Sequence, residues 1–428
     1  MRFRLGGALL ALTLATAAQP ALTPTERQLN IDSFEEVWKT VRDKHWDPKL
    51  NGVDWQAAHD ELRPKIEKAA TMDEARAVMS DMLSRLKQTH FEIVSSEAYE
   101  ELDQKGGSAG PTDGDPGLDL RLLNGHAVVT FVAPGSPADA KGVKPGWEIQ
   151  RIESKDLAPA LAKVREAIGA SMLGELLETR AVLARLEGPI GKTVGADFLD
   201  GNDRKVSLKL ARAGRRGTQT VLGNLPPLRF WVDTHKVRGD IGYVQFNMFF
   251  EPEAVNTAVQ KMVQECRDCK GFVVDLRGNP GGVGGMAMGL AGWFTSESGL
   301  RLGTMYLRTT SIKFAVFPRA EPFRGPLAIL VDGCSASTSE IFAGGMQDLK
   351  RARIFGTHTA GAALPSLFEK LPNGDGFQYA IANYISQGGQ PLEGVGVTPD
   401  EEVKLTRRQL LDGQDPALDA AVSWIHRQ

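Results

Sequence analysis

Apolar positions first recur at helical spacing. Phe34, Val37, Trp38 and Val41 fall at i, i+3, i+4 and i+7, and Ala75, Val78, Met79 and Met82, continued by Leu86, repeat that interval. Asp32-Ser33 and Thr71 to Glu74 supply residue types that cap helix N-termini, so residues of about 24–95 are expected to be helical. The pattern then changes. The second stripe runs out at Lys87-Gln-Thr-His90, and Phe91-Glu-Ile-Val94 has strand composition, which puts His90 at a helix-to-strand corner.

Asp103 to Asp115 is rich in Gly, Ser, Pro and Asp and reads as a linker. Ala127 to Val132 and Glu148 to Ile152 read as strands, Leu157 to Leu186 as a helical stretch, and Val206 to Leu210 alternates as a half-buried strand does. From about residue 213 strands and helices alternate. Ile241–Phe246, Phe272–Leu276, Leu327–Val331 and Arg353–Phe355 are short apolar runs, separated by helical segments at 252–266, 284–294 and 339–349. A last helix is expected over Pro416 to His426, and the alternation is that of an α/β fold.

The chain has 428 residues, room for two to four domains, with 42% hydrophobic and 24% charged residues as in an ordinary globular protein. Its net charge is -3 without a long basic run, which argues against nucleic acid or an anionic membrane as partner. Met1-Arg-Phe-Arg4, the apolar run Leu5 to Leu14 and Ala15-Thr16-Ala17 form a secretory signal peptide over 1–17, so the mature protein is expected to be exported, periplasmic or extracellular. No stretch is long enough to span a membrane. Export permits a bridge between Cys266 and Cys269, although two cysteines at this spacing do not require one. No zinc ligand set accompanies them, Cys334 reads as a packing residue, and no metal or cofactor is expected.

Three segments carry candidate chemistry. Asp275-Leu-Arg-Gly-Asn-Pro-Gly281-Gly282 is a glycine-rich turn after a buried strand, where amides can approach an anion or an oxyanion. The Lys-Ser/Thr pair of a phosphate loop is missing. Asp332 to Ala343 follows another buried strand and opens a helix, so Ser335, Ser337 and Ser339 can each be read as a cap or as a displayed nucleophile. The third segment is Gly356-Thr-His-Thr-Ala-Gly361.

Together, Asp275-Leu-Arg-x-Asn-x-Gly-Gly282, Ser335-Ala-Ser-x-Ser-Glu340, Gln347-Asp-x-x-Arg-Ala352 and the third segment resemble the C-terminal processing (tail-specific) serine peptidases. The resemblance implies a nucleophile at Ser337, with Gly281 or Gly282 and the amide of Thr338 forming the oxyanion hole. It implies a multidomain α+β / α/β chain without cofactors: an N-terminal helical region (18–105), a PDZ domain (113–213) and a crotonase-like ββα core (214–428). Pro134-Gly-Ser-Pro-Ala through Lys144-Pro-Gly146 resembles a PDZ domain. Gly117, Leu118, Asp119 and Leu120 then take the place of its carboxylate-binding loop, which would receive a polypeptide substrate by its C-terminus.

One position departs from the pattern. Relatives with a Ser-Lys dyad carry lysine after the glycine of the third loop, whereas Gly361 here is followed by Ala362, whose methyl group accepts no proton. Leu83 to His90 resembles the Ser/Thr-His corner of the tricorn-protease branch. That resemblance implies His90 as base, Glu393 as its orienting acid and Thr89 as a helper. His358, in the third loop, is the alternative base, and Glu340 either joins the site or only complements its helix N-terminus. Loss of the lysine leaves a second function open: a catalytically silent binding, scaffold or ligand-carrier protein of the same fold.

Overall fold

A computed structural model describes residues 21–96, 114–168, 173–221, 223–224 and 228–428. The signal-peptide segment and nearly all of the expected linker lie outside them. No helix among the described residues is long and apolar enough to cross a membrane.

The chain begins with three helices, Pro24–Lys44, Trp55–Lys68 and Met72–Ser84. Thr23 caps the first in a reciprocal box with Glu26, so the start expected at Asp32-Ser33 is corrected. Ser33 is buried one helical turn past Leu29, to whose carbonyl its hydroxyl donates. Thr71 does cap the third helix, accepting from Glu74 N. The middle helix buries Trp55, Ala58, Leu62 and Ile66, a stripe that the sequence reading left out.

This bundle does not have a core to itself. Its buried residues pack with Leu371, Phe377 and Tyr379, which lie on a hairpin formed by strands Ser366–Lys370 and Gly376–Ala380. Strand Glu92–Val94 joins the same sheet, antiparallel to Gly376–Gln378. The Arg76 guanidinium reaches the fully buried Asp375 carboxylate at 2.8 Å, and Ser96 N donates to it at 2.7 Å. The N-terminal residues leading into and out of His90 are thereby docked on the C-terminal half of the chain.

The middle domain is an antiparallel sheet in the order Leu118–Leu123, His126–Val132, Glu148–Ile152, Thr193–Leu199, Lys205–Ala211. Leu120, Val129, Ile149, Phe198 and Leu210 fill its core. Two helices, Leu157–Ile168 and Gly174–Leu186, leave and return to it. The second, here the strap helix, lies against Leu118–Leu123, the edge strand.

The C-terminal core holds a sheet in the order Val232–Val237, Ile241–Phe246, Gly271–Asp275, Leu327–Val331, Arg353–Gly356, Glu401–Glu402. The first pair is antiparallel and the others are parallel. Every residue of Gly271–Asp275 and Leu327–Val331 is buried because helices cover both faces, Pro252–Glu265 on one and Pro416–Ile425 on the other. Cys266, which ends the first of these helices, is bridged to Cys269. The three loops singled out above all leave the carboxyl ends of parallel strands, where open α/β sheets bind ligands.

Candidate active site

Strand Leu327–Val331 passes through a turn into helix Thr338–Asp348, and the turn separates three candidate serines. Ser335 Oγ donates to Leu276 O at 2.8 Å and Ser339 Oγ donates to Asn279 O at 2.9 Å; both residues are fully buried. They tie the nucleophile turn to the glycine-rich turn. Ser337 is only half-buried and adopts φ 53° and ψ -116°, a conformation strained for any residue with a side chain. Its amide donates to Ala362 O at 2.8 Å and to Glu340 Oε2 at 2.9 Å, which holds the strained turn in place.

Glu340 does more than complement a helix end. Its buried carboxylate also accepts from Thr359 Oγ1 at 2.5 Å, Gly361 N at 2.8 Å and Ala362 N at 3.0 Å. Burial pushes its carboxyl up to about 7, against these hydrogen bonds, which favour the ionised form. One side chain thus connects Ser337 to the loop that carries alanine where the lysine would be.

The two glycines divide their tasks. A Cβ on Gly281 would lie 2.7 Å from both Ser337 Cβ and Thr338 N, so only glycine fits, and its φ of 94° suits glycine as well. The Gly281 amide donates to Asn279 Oδ1 at 2.9 Å. Among the described residues, neither Gly282 N nor Thr338 N has an acceptor, and Thr338 Oγ1 fastens the two by donating to Gly282 O at 2.8 Å. Asp275 braces this turn from below. It accepts from Tyr243 Oη at 2.7 Å and pairs with Arg277, which also grips Asp415.

His90 stands at the expected corner with φ 62°, between the last turn of the bundle and strand Glu92–Val94. Its Nδ1 is 2.6 Å from Thr89 Oγ1. Thr89 in turn donates its amide to Glu393 Oε1 at 2.8 Å and its hydroxyl to Glu393 Oε2 at 2.9 Å. Glu393 also accepts from Ala363 N at 3.1 Å, one residue beyond the Ala362 carbonyl that holds Ser337. With the Thr89 hydroxyl proton committed to Glu393, His90 Nδ1 carries the proton between them and Nε2 is left as the acceptor. Burial, and then the positive charge of Arg180, lower the His90 imidazole to about 4. Burial raises the Glu393 carboxyl, opposed by the Thr89 and Ala363 hydrogen bonds. His358 Nδ1 instead lies 3.0 Å from Thr359 O and, among the described residues, engages no carboxylate. No hydrogen bond joins Ser337 Oγ to either imidazole in this arrangement.

The strap helix lies over these loops. Leu173 and Leu176 pack on Cys334, Ala336, Ala360 and Ala362, the residues that flank Ser337 on two sides. Arg121, from the edge strand of the middle domain, donates to Asp332 Oδ2 at 2.7 Å, and Glu175 is pressed against Gly333. Burial, with the nearby Asp332 carboxylate, pushes Glu175 up to about 7. Beside this contact a cleft of about 1360 Å³ runs between middle domain and core, past Trp147, Arg180 and Trp231 to Pro280 and Cys334. In the loop expected to cradle a carboxylate, Gly117 N already donates to Asp115 Oδ1 at 2.7 Å and Leu120 N to Asp119 Oδ1 at 2.8 Å. Leu118 and Leu120 are buried, and Asp119 pairs with Arg121. The Gly117 and Leu120 amides are thus both engaged by neighbouring carboxylate side chains. The remaining histidines have local partners. His45 is buried against Gln88, for example, and His126 pairs with Glu148.

Comparison with known proteins follows the same division of the chain. Residues 240–403 match the peptidase family S41 model, and residues 31–84 match the tricorn protease C1 domain. A carboxyl-terminal-processing protease of Synechocystis is 27% identical over 86% of this chain and 80% of its own length. Tricorn protease homolog 1 of Streptomyces coelicolor is 26% identical over 91% of this chain and 34% of its own length. Among solved structures, the photosystem II D1 C-terminal processing protease superposes with a TM-score of 0.58 at 21% identity, covering 92% of this chain and 99% of that one.

Proposed function

We propose that this chain, whose residues 240–403 belong to peptidase family S41 and which is a serine peptidase of the C-terminal processing family, works by a Ser–His mechanism without lysine. Ser337 Oγ attacks the peptide carbonyl carbon while His90 Nε2 takes its proton. The Thr89 hydroxyl receives the hydrogen bond from Nδ1–H and passes its own to Glu393, which orients the ring and stabilises the imidazolium. The amides of Gly282 and Thr338 hold the oxyanion as it forms. When the C–N bond breaks, Nε2 returns the proton to the departing amine, leaving an acyl-enzyme on Ser337. A water deprotonated by the same imidazole then releases the acid.

The observation that carries this reading is the Glu393 carboxylate. It accepts from Thr89 on one side and from Ala363 on the other, bringing the His90 corner to the loop that holds Ser337. The middle domain is read as a PDZ domain and the core as crotonase-like. With the strap helix packed over the nucleophile turn, the PDZ domain gates access to Ser337, and the catalytic hydrogen bond forms as the strap lifts. A Cys266–Cys269 bridge fits an exported protein. Peptide mapping after treatment with a fluorophosphonate tests the assignment. The adduct is expected on the peptide containing Ser337 and absent from Ser337→Ala. An equal adduct in both proteins would favour the silent carrier instead.

A further inference from the structure

The glycine-rich turn that carries Gly282 is held differently at its two ends. Downstream, backbone bonds fix it: Phe249 N donates to Gly281 O at 2.8 Å and Val283 N to Phe249 O at 2.7 Å. Upstream, side chains hold it, with Ser335 on Leu276 O and the Arg277 guanidinium shared between two carboxylates. Asp275, fully buried at the end of its strand, takes Arg277 Nε at 3.0 Å and Nη2 at 2.6 Å. Asp415 takes Nη1 and Nη2 at 2.8 Å each, a parallel fork.

Asp415 reaches the turn by a detour. After the last strand, Glu401–Glu402, the chain leaves the core sheet and forms the short helix Arg407–Leu411 against the middle domain. It returns at Asp415, which caps helix Pro416–Ile425 by accepting from Leu418 N at 3.2 Å. The contact with the middle domain is specific. Arg407 donates to Gly146 O at 2.9 Å, to Asp200 O at 2.6 Å and to Asp203 Oδ1 at 2.5 Å. Leu411 lies over Gly146, where a Cβ would stand 2.6 Å from its Cγ. Only three residues separate Leu411 from Asp415.

We propose that residues 407–415 are a tether that couples the oxyanion-binding turn to the seat of the middle domain. Asp415 is then a positioning residue that acts on Gly282 through Arg277, a role that rests on the assignment of Ser337 and of the Gly282 amide as oxyanion donor. While Arg407 and Leu411 are seated, Asp415 is fixed and its fork on Arg277 is closed. A middle domain that leaves this seat pulls Asp415 away, and Arg277 keeps one carboxylate in place of two. The glycines beyond it have no side chains to hold the turn, so the Gly282 amide loses its aim. The strap lies on the edge strand Leu118–Leu123, whereas Arg407 grips the loops at Gly146 and Asp200, so the strap can lift while the tether stays seated. Misplaced oxyanion donors weaken the transition state and leave substrate binding nearly untouched.

The test compares full-length wild type, Asp415→Asn, Arg407→Met, Arg407→Lys and the double variant Asp415→Asn/Arg407→Met, with rates normalised to the Ser337 that a fluorophosphonate titrates. Asparagine keeps the helix cap but turns an NH₂ toward Arg277, so it breaks the fork and spares the helix. Asp415→Asn is expected to lower kcat by about tenfold or more with KM nearly unchanged. Affinity for a peptide boronic acid, whose tetrahedral adduct occupies the oxyanion hole, should fall in parallel. Arg407→Met should lower kcat by a smaller factor, Arg407→Lys should recover part of it, and the double variant should lose no more than Asp415→Asn alone. Wild-type kcat and boronate affinity in Asp415→Asn would reduce Asp415 to a helix cap and overturn the tether. So would an unchanged or raised kcat in Arg407→Met, or losses that simply multiply in the double variant. Wild-type protein that does not titrate at Ser337 overturns the catalytic assignment and the tether with it.

Discussion

Thr89 gives both of its polar hydrogens to Glu393, the amide at 2.8 Å and the hydroxyl at 2.9 Å, across 304 positions of sequence. The same hydroxyl lies 2.6 Å from His90 Nδ1, so it stands between imidazole and carboxylate rather than beside them. A valine keeps its shape and loses the relay. Thr89→Val is expected to lower kcat by about ten- to a hundredfold with little change in KM, the size of effect seen when an outer partner of a working group is removed. Steady-state kinetics check this, and wild-type kcat in the variant would take the hydroxyl out of the mechanism.

The half-buried imidazole sets the pH range. Burial holds His90 at about 4, below its ordinary 6.5, so it remains an unprotonated base in mildly acidic solution. The acid limb of kcat/KM is expected near pH 4 and not near 6.5. The native state binds fewer protons than the unfolded chain between these values, so stability is full above 6.5 and is lost as pH falls through 4. Denaturation midpoints of wild type and His90→Gln at pH 7 and 4.5 should show the larger loss in wild type.

The strap carries the opposite sign. Glu175 is half-buried against Gly333, facing Asp332 and Cys334 from the nucleophile turn, Arg121 from the edge strand and Glu178 from its own helix. Glu178 is already paired with Arg165 and Asp332 with Arg121, so among the described residues an ionised Glu175 has no cation of its own. Its value is raised from 4.5 to about 7, so the strap contact is complete below 4.5 and weakens as pH rises through 7. Hydrogen exchange of the amides in 174–186 should quicken between pH 6 and 8.5 beyond the intrinsic base dependence. Glu175→Gln should remove that excess.

Glu340 is an acceptor for four donors and gives none of them a choice. A glutamine would aim its NH₂ at amides that need an acceptor. Glu340→Gln is expected to lower stability by about 2 kcal/mol or more and to reduce turnover by loosening Ser337. Denaturant titration and kinetics check the pair of effects. A variant as stable as wild type would reduce Glu340 to a helix-end charge.

The fold was readable where burial is continuous. Runs such as Phe272–Leu276 and Leu327–Val331 announce strands covered on both faces, and each lies where expected. Details settled by a single side-chain contact were not readable. That the Gly281 amide is taken by Asn279 Oδ1 is a local turn contact that leaves no periodic trace. The first helix begins at Thr23 and not at Asp32-Ser33 because the Thr23–Glu26 box precedes the apolar stripe by two turns. His90 had a legible corner in the sequence, but its reach to Glu393 depends on strand Glu92–Val94 pairing with Gly376–Gln378 and on Arg76 meeting Asp375. The strap over Cys334 and Ala336 was hidden because a helix of ordinary composition does not reveal which domain its apolar face will cover.

The central claim is that an imidazole from the N-terminal bundle activates Ser337. The most direct test is the second-order rate of fluorophosphonate inactivation in wild type, His90→Ala and His358→Ala, with His90→Ala also measured against added imidazole. A fall of about a hundredfold or more in His90→Ala, partial rescue by imidazole and a near-normal rate in His358→Ala are predicted. A wild-type rate in His90→Ala, or a loss confined to His358→Ala, would contradict it.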